Sequence, residues 1–354
     1  MSEASFPSME GPVCPLPLKH DDQIILGHGS GGRLTHDLIK NIFLPYLSSP
    51  PLLSGDDFAR LTRPNGEVVV STDCHIVSPL FFPGGDIGRL AVCGTVNDIA
   101  VSGAQPLYLT AGFILEEGLP VQTLVRILES MHIAAQEASI QIVAGDTKVV
   151  EKGKADGLFI TTTGFGFLPE GRTINGSQAQ PGDVILVSGS MGDHGIAVLA
   201  ERGELGFSAE IQSDVAPLNG LIQDLLAAAP HTHVLRDPTR GGLATTLNEI
   251  AAQSQVGMLL YENTIPINPA VQAACEMLGF DPLYIANEGK IIAIVPPDEA
   301  EAALEAMHRH PYGKSAARIG EVTRNDAGRV LLKTRIGATR ILDMLAGEIL
   351  PRIC

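Results

Sequence analysis

Several aspartates in this sequence stand where apolar segments end or bend. Asp56 and Asp57 lie in a loop, Asp73 closes "EVVVSTD", Asp146 sits in "AGDT" and Asp237 opens "DPTRGGL". Such residues also cap helices and turns. Asp98 fits that role least, because Val96, Ile99, Ala100 and Val101 around it are apolar and a carboxylate buried there needs a partner. Carboxylates gathered from strand and helix ends suit a hard divalent cation, Mg2+ above all when the substrate carries phosphate. Without a cation between them, these acids would repel a polyphosphate.

Two glycine-rich stretches could supply anion-binding backbone N–H groups. "GHGSGGR" offers Gly29, Gly31, Gly32 and the cation Arg33, although no Gly-Lys-Ser/Thr follows; a flexible loop is the other reading. "TRGGL" offers Arg240, whose guanidinium is fork-shaped, with Gly241 and Gly242. In "NEGK", Glu288 lies between two apolar strand patterns, where a hairpin turn over Asn287 to Gly289 is the plain alternative. The chain ends in "PRIC", with a thiol on Cys354. Extended, Ile349 to Cys354 would reach roughly 20 Å. A free cysteine ionises near pH ~8.5, so this thiol is only partly a nucleophile at neutral pH and suits loading by a partner enzyme.

Alternating elements must position these groups. A helix pattern follows the first glycine loop, with Leu38, Ile39, Ile42 and Phe43 on one side. "EVVVSTD", "LYLTAGFIL", "IQIVAGDT" and "GLFITTTGFGFL" read as strands, with helices at "DIGRLAVCGTVNDIAVSG" and from Pro120 to Ser139. After the polar connection "LPEGRTINGSQAQPGD" a second αβ series starts with "VILVSGS", and a strand pair near 316–333 closes it. The order predicts an α+β protein with two α/β domains, at 23–168 and 182–340. Residues 1–22 are expected to be a disordered extension, and 341–354 a short helix with a mobile tail.

Composition narrows the function. The 354 residues are 45% hydrophobic and 18% charged, with a net charge of −16 and no basic cluster. That argues against a nucleic-acid or membrane-surface partner. Five dispersed cysteines without a CxxC pair argue against a disulfide framework or a zinc site. No signal peptide or membrane-length apolar run is visible, and the expected compartment is the cytoplasm.

Taken together, "STDCHIVSPLFFPGGDIGRLAVCGTVNDIAVSGAQPLYLTAGFILEEGLP", "IVAGDTKVV", "RDPTRGGLA", "NEGK" and the terminal "PRIC" resemble the hydrogenase maturation factor HypE family. The aspartate and glycine motifs alone indicate only the ATP-binding aminoimidazole ribonucleotide synthetase superfamily; "PRIC" narrows it. The resemblance implies two α/β domains of that type, the first binding ATP and pairing in a homodimer through a shared β-barrel. It implies that the carbamoyltransferase HypF loads the terminal thiol, that ATP drives dehydration of the S-carboxamide to S-cyanide, and that the HypC–HypD complex receives the cyanide for [NiFe]-hydrogenase. It carries metal roles onto Asp57, Asp73, Asp98, Asp146 and Asp237, and nucleotide roles onto Asn97, Thr147 and Lys148 besides the glycine loops. Cys354, Glu288 and Asp98 are the expected catalytic residues. Two other readings compete: a superfamily ATP enzyme of another reaction, such as a purine-pathway cyclo-ligase, a thiamin-phosphate kinase or a selenophosphate synthetase, which would not need the terminal cysteine; and a non-enzymatic carrier, which would leave the acids idle.

Overall fold

A computed structural model describes residues 22–54, 58–62, 64–203, 211–347, 350 and 353. The helix expected after the first glycine loop is built in pieces: α1 (Arg33–Leu38), a π-helical stretch over Ile39–Phe43, and α2 (Leu44–Leu47). Pro45 opens α2, where its missing N–H does least harm. Ser49 then caps α3 (Pro50–Leu53).

The first sheet follows from alternating apolar residues. Strand β1 (Glu67–His75) leads through the short β2 (Phe81–Phe82) and β3 (Gly85–Asp86) into α4 (Ile87–Val101). Asp86 starts α4 by accepting the N–H groups of Gly88 and Arg89. Then come β4 (Gln105–Glu116), α5 (Val121–Glu137), β5 (Gln141–Val150) and β6 (Leu158–Leu168). The strands lie in the order β1-β6-β4-β5, and only β4 and β5 run parallel, which α5 makes possible as their crossover.

The second sheet holds seven strands. In chain order its region runs β7 (Val184–Val187), α6 (Asp193–Glu201), α7 (Asn219–Ala228), β8 (Val234–Arg236), α8 (Gly242–Ser254), β9 (Gly257–Tyr261) and α9 (Pro269–Leu278). It continues with β10 (Ile292–Val295), α10 (Ala300–Arg309), β11 (Ala317–Thr323), β12 (Val330–Lys333) and β13 (Thr339–Ile341). The order is β13-β12-β9-β11-β7-β10-β8. The architecture is α+β, two mixed sheets each packed with helices. The expected pairing of the last two long strands is corrected here: β9 lies between β11 and β12. Gly257 allows it, since a Cβ there would stand 1.8 Å from the Asn325 carbonyl oxygen.

Helix α4 joins the two halves. Its inner side meets β6 so closely that a Cβ on Gly166 would fall 2.3 Å from Ile99 Cγ2. Its last turn, Ala100 and Val101, shares a core with Val184, Leu186, Leu218 and Ile222 of the second half. Burial on nearly every side is why its sequence shows little amphipathic period. Among the described residues after 341 there is no helix: residues 342–347 have no regular structure. Their backbone polar groups are engaged elsewhere, Leu342 N–H on Val330, the Asp343 carbonyl on Tyr284 Oη and Leu345 N–H on Thr245 Oγ1.

Candidate active site

The period of two along β1 turns Ser71, Asp73 and His75 toward α4. Ser71 Oγ donates to Asp98 Oδ2 at 2.7 Å, and Thr95 Oγ1 donates to Asp73 Oδ2 at 2.8 Å. His75 Nε2 lies 3.2 Å from Thr162 Oγ1. Burial pushes the Asp98 carboxyl up to about 7, with repulsion from Asp237 and Asp73 adding to it. Burial likewise raises Asp237 to about 6; Asp73 adds to this while Arg236 opposes it. Burial lowers the His75 imidazole to about 4, against the pull of Asp73 and with help from Arg240. These mutual influences place Asp73, Asp98, His75, Asp237 and Arg240 in one neighbourhood built from both halves.

Two glycines shape its second wall. Gly241 (φ +80°) and Gly242 (φ +61°) take left-handed backbone just before and at the start of α8. A Cβ on Gly242 would meet the Leu283 and Ile285 carbonyl oxygens at 2.6 Å, so that glycine is demanded by packing. The hairpin alternative at "NEGK" fails. Asn287 is wholly buried, its Oδ1 taking the Gly192 N–H at 2.7 Å and its Nδ2 donating to the Pro238 carbonyl at 2.9 Å. This holds Glu288 beside the Asp237 loop. Glu288 is buried, and its Oε1 has no hydrogen-bond partner among the described residues. Its carboxyl is raised well above the ordinary range by burial, then by Asp214, Asp237, Asp73 and Asp98. Its N–H donates to Asp214 Oδ1 at 3.1 Å, and Lys290 pairs with Asp214 Oδ2 at 3.1 Å.

Other expected residues lie apart. Asp146 stands on β5 and Asp73 on β1, opposite edges of the four-stranded sheet, three strand spacings or about 14 Å apart. Asp146 is exposed and paired with Lys148 at 2.6 Å, with the Thr147 N–H also on it. The first glycine loop joins this second locality, because Gly29 packs on Val149, where a Cβ would lie 2.8 Å from the backbone nitrogen. Gly31 (φ +76°) and Gly32 lead into α1, and Arg33 projects into solvent, 3.9 Å from Asp37. Within one chain the aspartates are therefore not a single metal centre. Among the described residues no three His, Cys, Asp or Glu side chains are grouped to hold a metal. Asp57 and Cys354 lie outside the described residues.

Asn97 requires a correction. Its Oδ1 accepts the Leu218 N–H at 2.8 Å, and its Nδ2 donates to the carbonyls of Ala216 at 3.0 Å and Glu288 at 3.4 Å. Buried and fully engaged, it ties α4 to the second half and has no group left for a nucleotide.

Beyond residue 347, two residues of the expected mobile tail are described, and both are packed against the body. Leu350 and Ile353 are buried, in one core with Ile196, Ile285 and Ala286. With Arg240, Gly241 and Thr245 they line a cavity of about 470 Å³. The Ile353 carbonyl oxygen sits 2.6 Å from His194 Nε2. His75, Asp214, Lys290 and His194 are absent from the sequence-based set. The spacing of His75 two residues after Asp73 on a strand was a usable signal, and Lys290 stands inside "NEGK"; for His194 and Asp214 no local pattern points to the site.

Models of the AIR synthase related protein family match the chain twice, the N-terminal domain at residues 55–168 and the C-terminal domain at 180–333. Carbamoyl dehydratase HypE of Cupriavidus necator is 55% identical over 341 residues, covering 96% of this chain and 97% of that protein. This chain belongs to the HypE family of carbamoyl dehydratases. A crystal structure of hydrogenase maturation protein HypE in complex with ATP superimposes with a TM-score of 0.90, at 50% identity, over 93% of this chain and 99% of that one. A HypE from a HypE–HypF complex superimposes with a TM-score of 0.76, at 51% identity, over 87% and 99% of the two chains. Among the described residues, no helix is long and apolar enough to cross a membrane.

Proposed function

We propose that this chain uses ATP to dehydrate an S-carboxamide on Cys354 to an S-cyanide, which supplies cyanide for the iron of [NiFe]-hydrogenase. The observation that carries the reading is the cavity lined by Leu350, Ile353, Arg240, Gly241 and Ala286, the last lying two residues before a buried Glu288 whose Oε1 has no hydrogen-bond partner among the described residues. A carrier that merely displayed its tail would have no use for either.

The chemistry asks for two things. The amide oxygen is a poor leaving group and must take the terminal phosphoryl group of ATP before it departs as phosphate. The amide nitrogen must also lose both hydrogens as the C≡N bond forms. Glu288 is the group for the nitrogen side: a desolvated carboxylate among other acids binds a proton strongly once it is ionised. Arg240 and Gly241 line that cavity and would offer a guanidinium and a backbone N–H to phosphate oxygens. Asp73, Asp98 and Asp237 are hard oxygen donors, and Asp73 disfavours the charged forms of the other two. As no three such side chains are grouped to hold a metal among the described residues, they would hold Mg2+ only together with the phosphate oxygens of ATP. When bound, the ion supplies neutralisation of charge on the transferring phosphoryl group.

In this reading residues 23–168 form the ATP-binding and pairing domain and 182–340 the second α/β domain. Val68, Val70 and Ile114 are 49%, 55% and 41% exposed on the uncovered face of the first sheet, which supports a homodimer closed over that face. HypF is the carbamoyl donor, the HypC–HypD complex the acceptor, and the cytoplasm the compartment. The deciding experiment loads Cys354 with carbamoyl bearing heavy oxygen and adds ATP and magnesium. The label is expected in inorganic phosphate, in step with loss of one water mass from the C-terminal peptide. Unlabelled phosphate would refute the dehydration route.

A further inference from the structure

Among the described residues, Ile353 makes a polar contact with His194 whose chemistry can be read in full. His194 is wholly buried, and Phe82 stands edge-on to its ring at 5.4 Å between centroids. The Ile353 carbonyl can only accept, so His194 Nε2 carries the proton in the 2.6 Å bond between them. Nδ1 is then a lone pair. Ser213 Oγ, 2.8 Å away, donates to it while accepting the Val215 N–H at 3.1 Å. Burial lowers the imidazole's proton affinity and keeps it neutral, which preserves this single arrangement.

Both members of this pair are chained to the acidic wall. Asp193 precedes His194; its Oδ2 accepts from Ser190, and its Oδ1 is buried without a hydrogen-bond partner among the described residues. Asp214 follows Ser213 and holds both the Glu288 N–H and Lys290. A Cβ on Gly289 would stand 1.7 Å from the Asp214 carbonyl oxygen, so this strip and the Glu288 turn touch backbone to backbone. The imidazole is thus fixed in the same scaffold that fixes Glu288. The carbonyl it grips belongs to the peptide bond that joins Cys354 to the chain. The side chain of Ile353 is buried, and Gly195 leaves room for the tail, since a Cβ there would lie 3.2 Å from Leu350 Cδ1.

We propose that His194 is a positioning residue for the dehydration, clamping the last peptide bond of the tail, with an apolar residue at 353, so that the terminal thiol's cargo is presented to Glu288. The proposal rests on the function proposed above and adds the part of the protein that recognises its own tail. The grip is on backbone and an apolar side chain, so it does not depend on the cargo and engages loaded and unloaded tails alike.

The test uses the full chain in three measurements: carbamoyl loading by the donor enzyme, single-turnover dehydration of the loaded tail with ATP, and alkylation of Cys354 followed on the C-terminal peptide by mass. His194→Phe keeps a ring for packing and removes both hydrogen bonds. Dehydration is expected to fall about 10²-fold, the scale of loss for misplaced reactants. Loading should hold or rise, and alkylation should speed up. His194→Gln restores a donor and should recover much of the dehydration rate. If His194→Phe does not fold, Ser213→Ala removes the group that fixes the tautomer and should move the same measurements in the same directions, by less. Wild-type dehydration in either folded variant would overturn the clamp. So would a parallel loss of loading and dehydration, the mark of a general packing defect. A wild-type protein that takes up carbamoyl and never dehydrates it would instead sink the proposed function, while the alkylation rates would still decide whether His194 holds the tail.

Discussion

The Glu288 carbonyl accepts a hydrogen bond from Asn97 Nδ2 at 3.4 Å, and Asn97 is the residue immediately before Asp98. One amide thereby sets a carboxyl of the first half against a carboxyl of the second. Asn97→Ala would leave the Leu218 N–H and the Ala216 carbonyl buried and unpaired, at about 1–3 kcal/mol for such groups. A Tm lower by several degrees is expected, together with reduced ATP turnover. An unchanged Tm would remove Asn97 from this role.

Asp98→Asn should act on stability with a definite pH dependence in metal-free protein. The folded Asp98 carboxyl titrates near about 7 and an unfolded one near ~3.9. Its raised value contributes stability below pH ~4, and this is lost as pH rises through about 7. The variant and wild type should therefore melt alike near pH 4. Above pH 7 the variant should be more stable, by on the order of 1 kcal/mol after solvent screening. Added magnesium should narrow the gap by stabilising the wild type, while the variant loses metal-dependent turnover. Melting curves across pH check the sign; a gap confined to acid pH would reverse the argument.

Glu288→Gln keeps the shape of the side chain and removes the base. Dehydration should fall by about 10²–10⁴-fold while carbamoyl loading continues. Label transfer to phosphate and loss of water from the tail should slow together. If only one slows, the two halves of the reaction are not coupled through Glu288.

Cys354→Ala should abolish loading without lowering Tm. The remaining described thiols provide the contrast. Cys93 and Cys275 are buried with their thiols pushed up to about 12, chiefly by burial, which leaves almost no thiolate at neutral pH. Cys74 is exposed. Mass spectrometry of the carbamoylated protein locates the adduct, and one on Cys74 would displace Cys354 as the acceptor.

Val68→Glu with Val70→Glu places charges on the uncovered face of the first sheet. The double variant should sediment as a monomer at micromolar concentration where the wild type is a dimer. Identical sedimentation would send the pairing surface elsewhere.

The elements around the site were legible because their signals are local. Pro120 opens α5, alternation marks β1, and glycines stand where the chain needs left-handed backbone. Asp73, Asp98, Asp237 and Glu288 stood out in the sequence, since an acid within or beside an apolar run is conspicuous, and they prove to be neighbours. What the sequence hid depends on strand order and distant partners. Asp146 looks like the other aspartates until β5 is placed at the far edge from β1. Asn97 reads as a site residue because its partners lie 119 to 191 positions away in the chain. His194 and Ser213 show no pattern at all; only the fold brings the tail to them.

Helix α4 packs mainly on the first sheet and α5, but its last turn lies against residues made later. During synthesis the first sheet and α4 are complete once residue 168 has emerged, yet the core around Ala100 and Val101 is not closed until Val184, Leu186, Leu218 and Ile222 have followed. At ~5–20 residues per second that interval lasts several seconds. Over that time the nascent chain shows the ribosome's surroundings a sticky helix, in an order of manufacture no finished molecule reveals. Overproduction that outruns the supply of chaperones should therefore trap this protein as half-made aggregates, and slowing translation after residue 168 should make that worse.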